Sequence, residues 1–262
     1  MSENRAFIFL VLAFAMLWLP LGQHEFLLTG WMKLGTFMAP FLLFLAFAFS
    51  DRPLRLADND VGLYALILWI AYIIHQFEEH WVDLYGQVYA FKPYVNMVLL
   101  DLMRAPAGTS PPLTDAGVFV INTSLVWLVA ALAILRARHH LFPALCMVSI
   151  VLVNAVSHVG MAIIRGGYNP GLLTAIVLFF PLSLAIYHRF LKAGIASRGE
   201  VVASIGWGVI AHIIMFAGLL AAGYFHVIPE MGYFALLVIW SAVPCLVLRN
   251  GPPGALMKPL GG

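Results

Sequence analysis

His75, Glu78, Glu79 and His80 fall within six residues, in the stretch Ile73-Ile-His-Gln-Phe-Glu-Glu-His-Trp-Val82, at the end of a run that is otherwise apolar. Imidazole and carboxylate at this density are either ligands for a divalent cation or acid–base partners. On a helix that turns about 100° per residue, Glu78 lies about 60° to one side of His75 and Glu79 about 40° to the other. These three can face one point. His80, about 140° round from His75, is expected beside them, supporting the ligands or resting at the interface. Asn154 and His158 are four residues apart in a second apolar run and share one stripe of its helix. His75, Glu79 and His158 are therefore the candidate metal ligands. Glu78 is expected as a bridging ligand or general base, and Asn154 as the group that fixes His158 through its second ring nitrogen.

Two imidazoles and a carboxylate drawn from two helices have the ligand number of a catalytic zinc or non-haem iron centre with an open position. The spacing departs from the common protease signatures: His-Glu-x-x-His is absent, and a second Glu precedes His80 where His-x-x-Glu-His would need one. Adjacent carboxylates in a low dielectric do not readily both ionise. A divalent cation removes that conflict and favours a metal-dependent membrane enzyme, of hydrolase or oxidoreductase type, acting on a lipid-like or hydrophobic substrate. The alternative within enzymes is a cofactor-independent isomerase with His75 and Glu79 as acid and base. A proton-coupled transporter is the alternative from another class; the lack of a comparable polar path in the other half of the apolar runs, and of an internal repeat, argues against it.

Further candidates lie near these groups. Arg165-Gly-Gly-Tyr-Asn-Pro-Gly171 is a turn by composition, from which Arg165 or Tyr168 can bind an anionic head group or orient the cluster. Asn122 is a possible lining group, and His212 lies mid-way along a later apolar run.

The elements that must hold these residues are membrane helices. The chain of 262 residues is 63% hydrophobic and 10% charged, with a mean hydropathy of +0.95, far from soluble proportions. Apolar runs at 6–22, 34–50, 61–82, 116–136, 141–163, 171–187, 201–223 and 231–248 predict a single all-α domain over 1–262, a transmembrane bundle of about eight spans, or seven. Residues 83–115 form its one long connection, with a short interfacial helix over Tyr94 to Arg104 and a breaker over Ala105 to Pro112. Arg5, Arg52, Arg55, Arg136, Arg138, Arg189, Lys192, Arg198, Arg249 and Lys258 fall on one side, against Lys33, Lys92, Arg104 and Arg165 on the other. The excess marks the cytoplasm and places both termini there. The expected setting is a bacterial-type inner membrane, with the cluster toward the extracytoplasmic side.

By the same count His24 and Glu25 end the first span, His226 and Glu230 follow the seventh, and His139, His140 and His188 are cytoplasmic interfacial residues. Cys146 and Cys245, inside apolar runs, read as buried structural thiols. A net charge of +2 with scattered basic residues excludes a nucleic-acid partner. The partners expected are the bilayer and a hydrophobic small molecule.

His75-Gln-Phe-Glu78-Glu79 resembles the motif for which the HXXEE-domain membrane proteins are named. Asn154-Ala-Val-Ser-His158 and Gly-Tyr168-Asn-Pro170-Gly171 are similar to that family's later pattern. The resemblance covers roughly the third to sixth apolar runs and implies that these residues belong together; it implies no reaction.

Overall fold

The computed structural model describes residues 24–48, 60–137 and 140–246. These residues are mostly helical, with no strand among them and one isolated antiparallel bridge between Val82 and Val88. In chain order the helices are α1 (Glu25–Ala48), α2 (Val61–His80), α3 (Phe91–Met103), α4 (Asp115–Arg136), α5 (Phe142–Arg165), α6 (Leu172–Lys192), α7 (Arg198–Tyr224) and α8 (Glu230–Leu246). Five of the eight, α2 and α4 to α7, are long and apolar enough to cross a membrane, and α8 is a shorter apolar helix.

The expected run at 6–22 lies outside the described residues. The next helix begins at Glu25 rather than at residue 34. Glu25, expected to end the first span, therefore opens α1, and Lys33 lies inside a helix rather than in a loop. Its ammonium sits over the rings of Trp81 and Tyr89, at 5.4 and 5.8 Å from their centroids, so a charge within an apolar helix reaches the aromatic edge just past α2. The interfacial helix also begins earlier than Tyr94, at Phe91. It ends when Arg104 adopts a left-handed conformation.

Helix starts follow local chemistry. Asp60 caps α2 by accepting from Leu63 N, Thr114 caps α4 through Gly117 N, and Ser197 and Glu200 form a capping box at the start of α7. Three helices contain a widened π-turn: Thr123–Leu128 in α4, Ala175–Phe179 in α6 and Leu220–Tyr224 in α7. In α4 the Thr123 and Ser124 hydroxyls donate to the carbonyls of Phe119 and Val120, competing with the backbone ladder. In α6 the turn precedes Pro181, which has no N–H and crowds the carbonyl four residues before it.

α5 is central. It packs on α2, α4, α6 and α7, and its first half, from Pro143 to Val151, is buried. Gly208 of α7 lets α7 approach α5 closely, because a Cβ there would stand 2.0 Å from Ser149 Oγ. The α2 and α5 C-termini and the α6 N-terminus meet at one end of the bundle. The site is at that end.

Candidate metal centre

His75 and Glu79 are one turn apart on α2, and His158 reaches them from α5. His75 Nε2 lies 3.3 Å from Glu79 Oε1, and His158 Nε2 lies 3.0 Å from the same oxygen. The three side chains are nearly fully buried, and one ligand atom from each falls within 4.8 Å of the others. Tyr72 and Phe179 pack their rings on His75, and the two imidazoles stand edge to face at 4.9 Å.

The other ring nitrogens determine what faces the centre. His158 Nδ1 lies 2.6 Å from Asn169 Oδ1. The Asn169 amide is oriented by its own donation to His158 O at 2.9 Å, so Oδ1 accepts and Nδ1 carries the proton. His75 Nδ1 lies 2.7 Å from Thr174 Oγ1, and that hydroxyl donates to Glu78 Oε2 at 2.5 Å. With the hydroxyl proton spent on Glu78, Nδ1 must donate to Thr174. Both histidines thus turn Nε2 inward, as a lone pair in the neutral form. His75 Nε2 has no hydrogen-bond partner among the described residues. In that neutral form two imidazole nitrogens and a carboxylate oxygen face one another as acceptors, an arrangement that a divalent cation satisfies, whereas a protonated His158 donates from Nε2 to Glu79 Oε1 at 3.0 Å.

His80 belongs to the same network and is buried rather than interfacial. The Trp127 indole donates to Gln76 Oε1, Gln76 Nε2 to Asn122 Oδ1, and Asn122 Nδ2 to both Val118 O and His80 Nε2. Indole nitrogen is a donor only, so this chain fixes each amide and leaves His80 Nε2 an acceptor, 3.3 Å from Glu79 Oε2. Asn122 is therefore a link to His80 as well as part of a cavity wall.

Glu78 points elsewhere. Its carboxylate accepts from the Tyr168 hydroxyl at 2.9 Å, from Leu173 N and Thr174 N at 3.1 and 2.8 Å, and from Thr174 Oγ1. It caps the N-terminus of α6, where free N–H groups and the helix dipole favour an anion. The conflict between adjacent carboxylates is resolved by that cap, and Glu78 stands outside the trio. Asn154 does not fix His158; its Nδ2 donates to the Tyr72 hydroxyl at 2.9 Å, and Asn169 has taken the expected role. Arg165 pairs with Asp101 at 2.6 Å on an exposed surface, away from the trio. Tyr168, which also accepts from Leu84 N at 3.0 Å, has its phenol pushed up from the usual range by burial and by Glu78. His212 donates from Nδ1 to Gly208 O at 2.9 Å. His226 hydrogen-bonds to Ala222 O and Glu230 accepts from Thr114, neither at the centre.

Gly171 closes the site from the loop side. Its φ is +93°, and a Cβ would come within 2.7 Å of His75 Cε1 and 2.8 Å of both Glu79 Cγ and His158 Cε1. The backbone can approach the trio this closely only as glycine. Sequence reading assigned Asn169 and Gly171 to a turn; their place in the site follows from that turn folding back over α2. Thr174 and Tyr72 carry no motif, although Tyr72 stands three residues before His75, on its helical face.

The centre opens on a cavity of about 490 Å³, within the range of roughly 300–1,000 Å³ usual for small-molecule sites. Glu79, His158, Asn154 and Tyr72 stand in its wall. Apolar residues supply most of the remainder, among them Val95 and Leu99 of α3, Leu125 of α4, Ile150 of α5 and Met215 of α7; His212 lines it as well.

No curated protein and no solved structure matches the chain. Residues 66–186, from α2 into α6, match the family model described as a protein of unknown function with HXXEE motif. The trio, its Nδ1 partners and the Trp127–His80 chain all fall inside that stretch, and His212 falls outside it. Over that stretch the chain is similar to the HXXEE family, as its His75-Gln-Phe-Glu78-Glu79 motif suggests.

Proposed function

We propose that the protein is a metal-dependent integral-membrane enzyme acting on a lipid-like or hydrophobic substrate. The observation that carries this reading is the inward convergence of His75 Nε2, His158 Nε2 and Glu79 Oε1, with both Nδ1 protons committed elsewhere. His75, Glu79 and His158 are the proposed ligands, and zinc or iron is the proposed ion, since both take imidazole and carboxylate and leave a position open. A bound divalent ion supplies Lewis acidity and a water of lowered pKa. Asn169 and Thr174 hold the ligand rings. Glu79 Oε2, beside His80, is placed to take a proton, the role expected of Glu78 before its carboxylate was found in a helix cap.

An apolar cavity meeting a polar centre supports a hydrophobic substrate, and the five long apolar helices support a membrane setting. The count of basic residues directs the site to the extracytoplasmic face. Elemental analysis of purified protein tests the reading. About one zinc or iron per chain is expected in the wild type, with loss in His75→Ala and in His158→Ala. Metal-free protein that turns over a lipid substrate undiminished after exhaustive chelation sinks the proposal.

A further inference from the structure

Tyr72 precedes His75 by three residues on α2, and Asn154 precedes His158 by four on α5. The two helices run the same way. The pair therefore lies one turn, about 5.4 Å, further into the bundle than the trio, in the wall of the same cavity. The Tyr72 hydroxyl accepts from Asn154 Nδ2 at 2.9 Å, and its own proton has no acceptor among the described residues. Asn154 Oδ1, a buried atom, has no partner either. Exchanging the amide's O and N would satisfy the phenol proton but leave the amide N–H groups unspent. In either orientation the pair holds unused hydrogen-bonding capacity just behind a largely apolar cavity wall, and such groups are costly unless a ligand or water meets them.

We propose that Tyr72 and Asn154 form a binding subsite for the amide head of a single-chain amphiphile. The inference rests on the cavity being the substrate site, as read above, and adds the substrate class. An acyl amide carries a carbonyl and an N–H side by side. Its carbonyl oxygen accepts from the Tyr72 hydroxyl, its N–H donates to Asn154 Oδ1 after a side-chain rotation that turns this buried atom into the lumen, and its alkyl chain takes the apolar wall formed by Val95, Leu99, Leu125 and Met215. The volume of about 490 Å³ suits one chain of modest length. An ester presents the carbonyl without the donor and satisfies half of the pair.

The test uses the full chain in lipid nanodiscs after chelation, with radiolabelled dodecanamide as the probe and empty nanodiscs as the blank. Dodecanamide is expected to bind about tenfold more tightly than methyl dodecanoate, and Tyr72→Phe and Asn154→Leu are each expected to weaken its binding about tenfold. Zinc titration of the same preparations separates this inference from the metal centre, because neither residue is a proposed ligand and both variants should load zinc as the wild type does. That retained loading also shows that the variants fold. Amide selectivity in a protein that takes up no zinc removes the metal centre and upholds the subsite. Equal retention of amide and ester, or equal retention by the wild type and both variants, overturns it.

Discussion

The Nδ1 atoms of His75 and His158 are each held by a group from the α5–α6 turn or the first turn of α6, and that is where the centre is most exposed to single substitutions. Thr174→Val leaves the His75 ring without its partner and deprives Glu78 of a hydroxyl donor; Asn169→Leu does the same to His158. Outer partners of metal-bound histidine commonly contribute about 10–100-fold in affinity, and a loss of that size is expected for each variant in a zinc competition titration. Gly171→Ala should be more severe, because its methyl group would collide with all three ligand side chains from a backbone conformation that alanine resists. Wild-type affinity in all three variants would show that these contacts do not orient the ligands. The trio itself was legible in the sequence, since i, i+4 spacing on α2 and a histidine on a second apolar run suffice to suggest it. Its supporting residues were not. Threonine and asparagine near a Pro-Gly turn have adequate local explanations, and only the fold over α2 gives them another role. Helical angle alone could not place Glu78 either, because a residue 60° from His75 can serve the trio or a neighbouring helix start, and three donors at the start of α6, with the Tyr168 hydroxyl from the turn before it, decide for the latter.

The helices bring these residues together through close contact in some places and widened turns in others. Each π-turn borders a residue already named: Asn122 precedes the one in α4, Thr174 the one in α6, and Leu220, in the cavity wall, begins the one in α7. Such turns concentrate at functional sites, and here they change the helical phase next to groups that must face the centre. Periodicity at 100° per residue locates the helices but has no term for this shift. The opposite demand appears where α5 meets α7. Gly208 lets Ser149 come so near that an added Cβ would also lie 3.0 Å from its Cβ and 3.3 Å from its backbone carbon. Gly208→Val should therefore destabilise the bundle by about 1–3 kcal/mol, the usual range for overpacking, measured by reversible unfolding in mixed micelles. A variant as stable as the wild type would mean that α5 and α7 do not meet there. Because α5 carries both Asn154 and His158, displacing it also disturbs both polar layers of the cavity.

At the scale of the molecule, one end of the bundle gathers the buried imidazoles and carboxylates, while the first half of α5 is buried in apolar packing away from them. The C-termini of α2 and α5, the N-terminus of α6 and the whole of α3 gather at the site. Exposed pairs tie α3 to its neighbours, Arg165 with Asp101 and Lys92 with Asp115, although such pairs contribute little stability. The all-helical class and most helix positions were evident from apolar run length, whereas the long α1 was obscured by Lys33 and by polar residues near its start. The orientation of this end can be measured directly. α6 starts at the centre and ends at Lys192; its 21 residues rise about 30 Å at 1.5 Å each, close to the hydrocarbon thickness of a bilayer. On the membrane reading proposed above, Lys192 is expected at the opposite face. Ser110 lies in the exposed connection between α3 and α4, on the site's side. Cys146 and Cys245 are buried, which keeps the background low for thiol labelling of Ser110→Cys and Lys192→Cys. In intact cells a membrane-impermeant maleimide should label Ser110→Cys and spare Lys192→Cys, which should react only after the membrane is opened. The reverse pattern would turn the site toward the cytoplasm and overturn the orientation drawn from the basic residues. Labelling of both positions in intact cells would show that α6 does not separate two compartments, and the membrane reading of this bundle would fall with it.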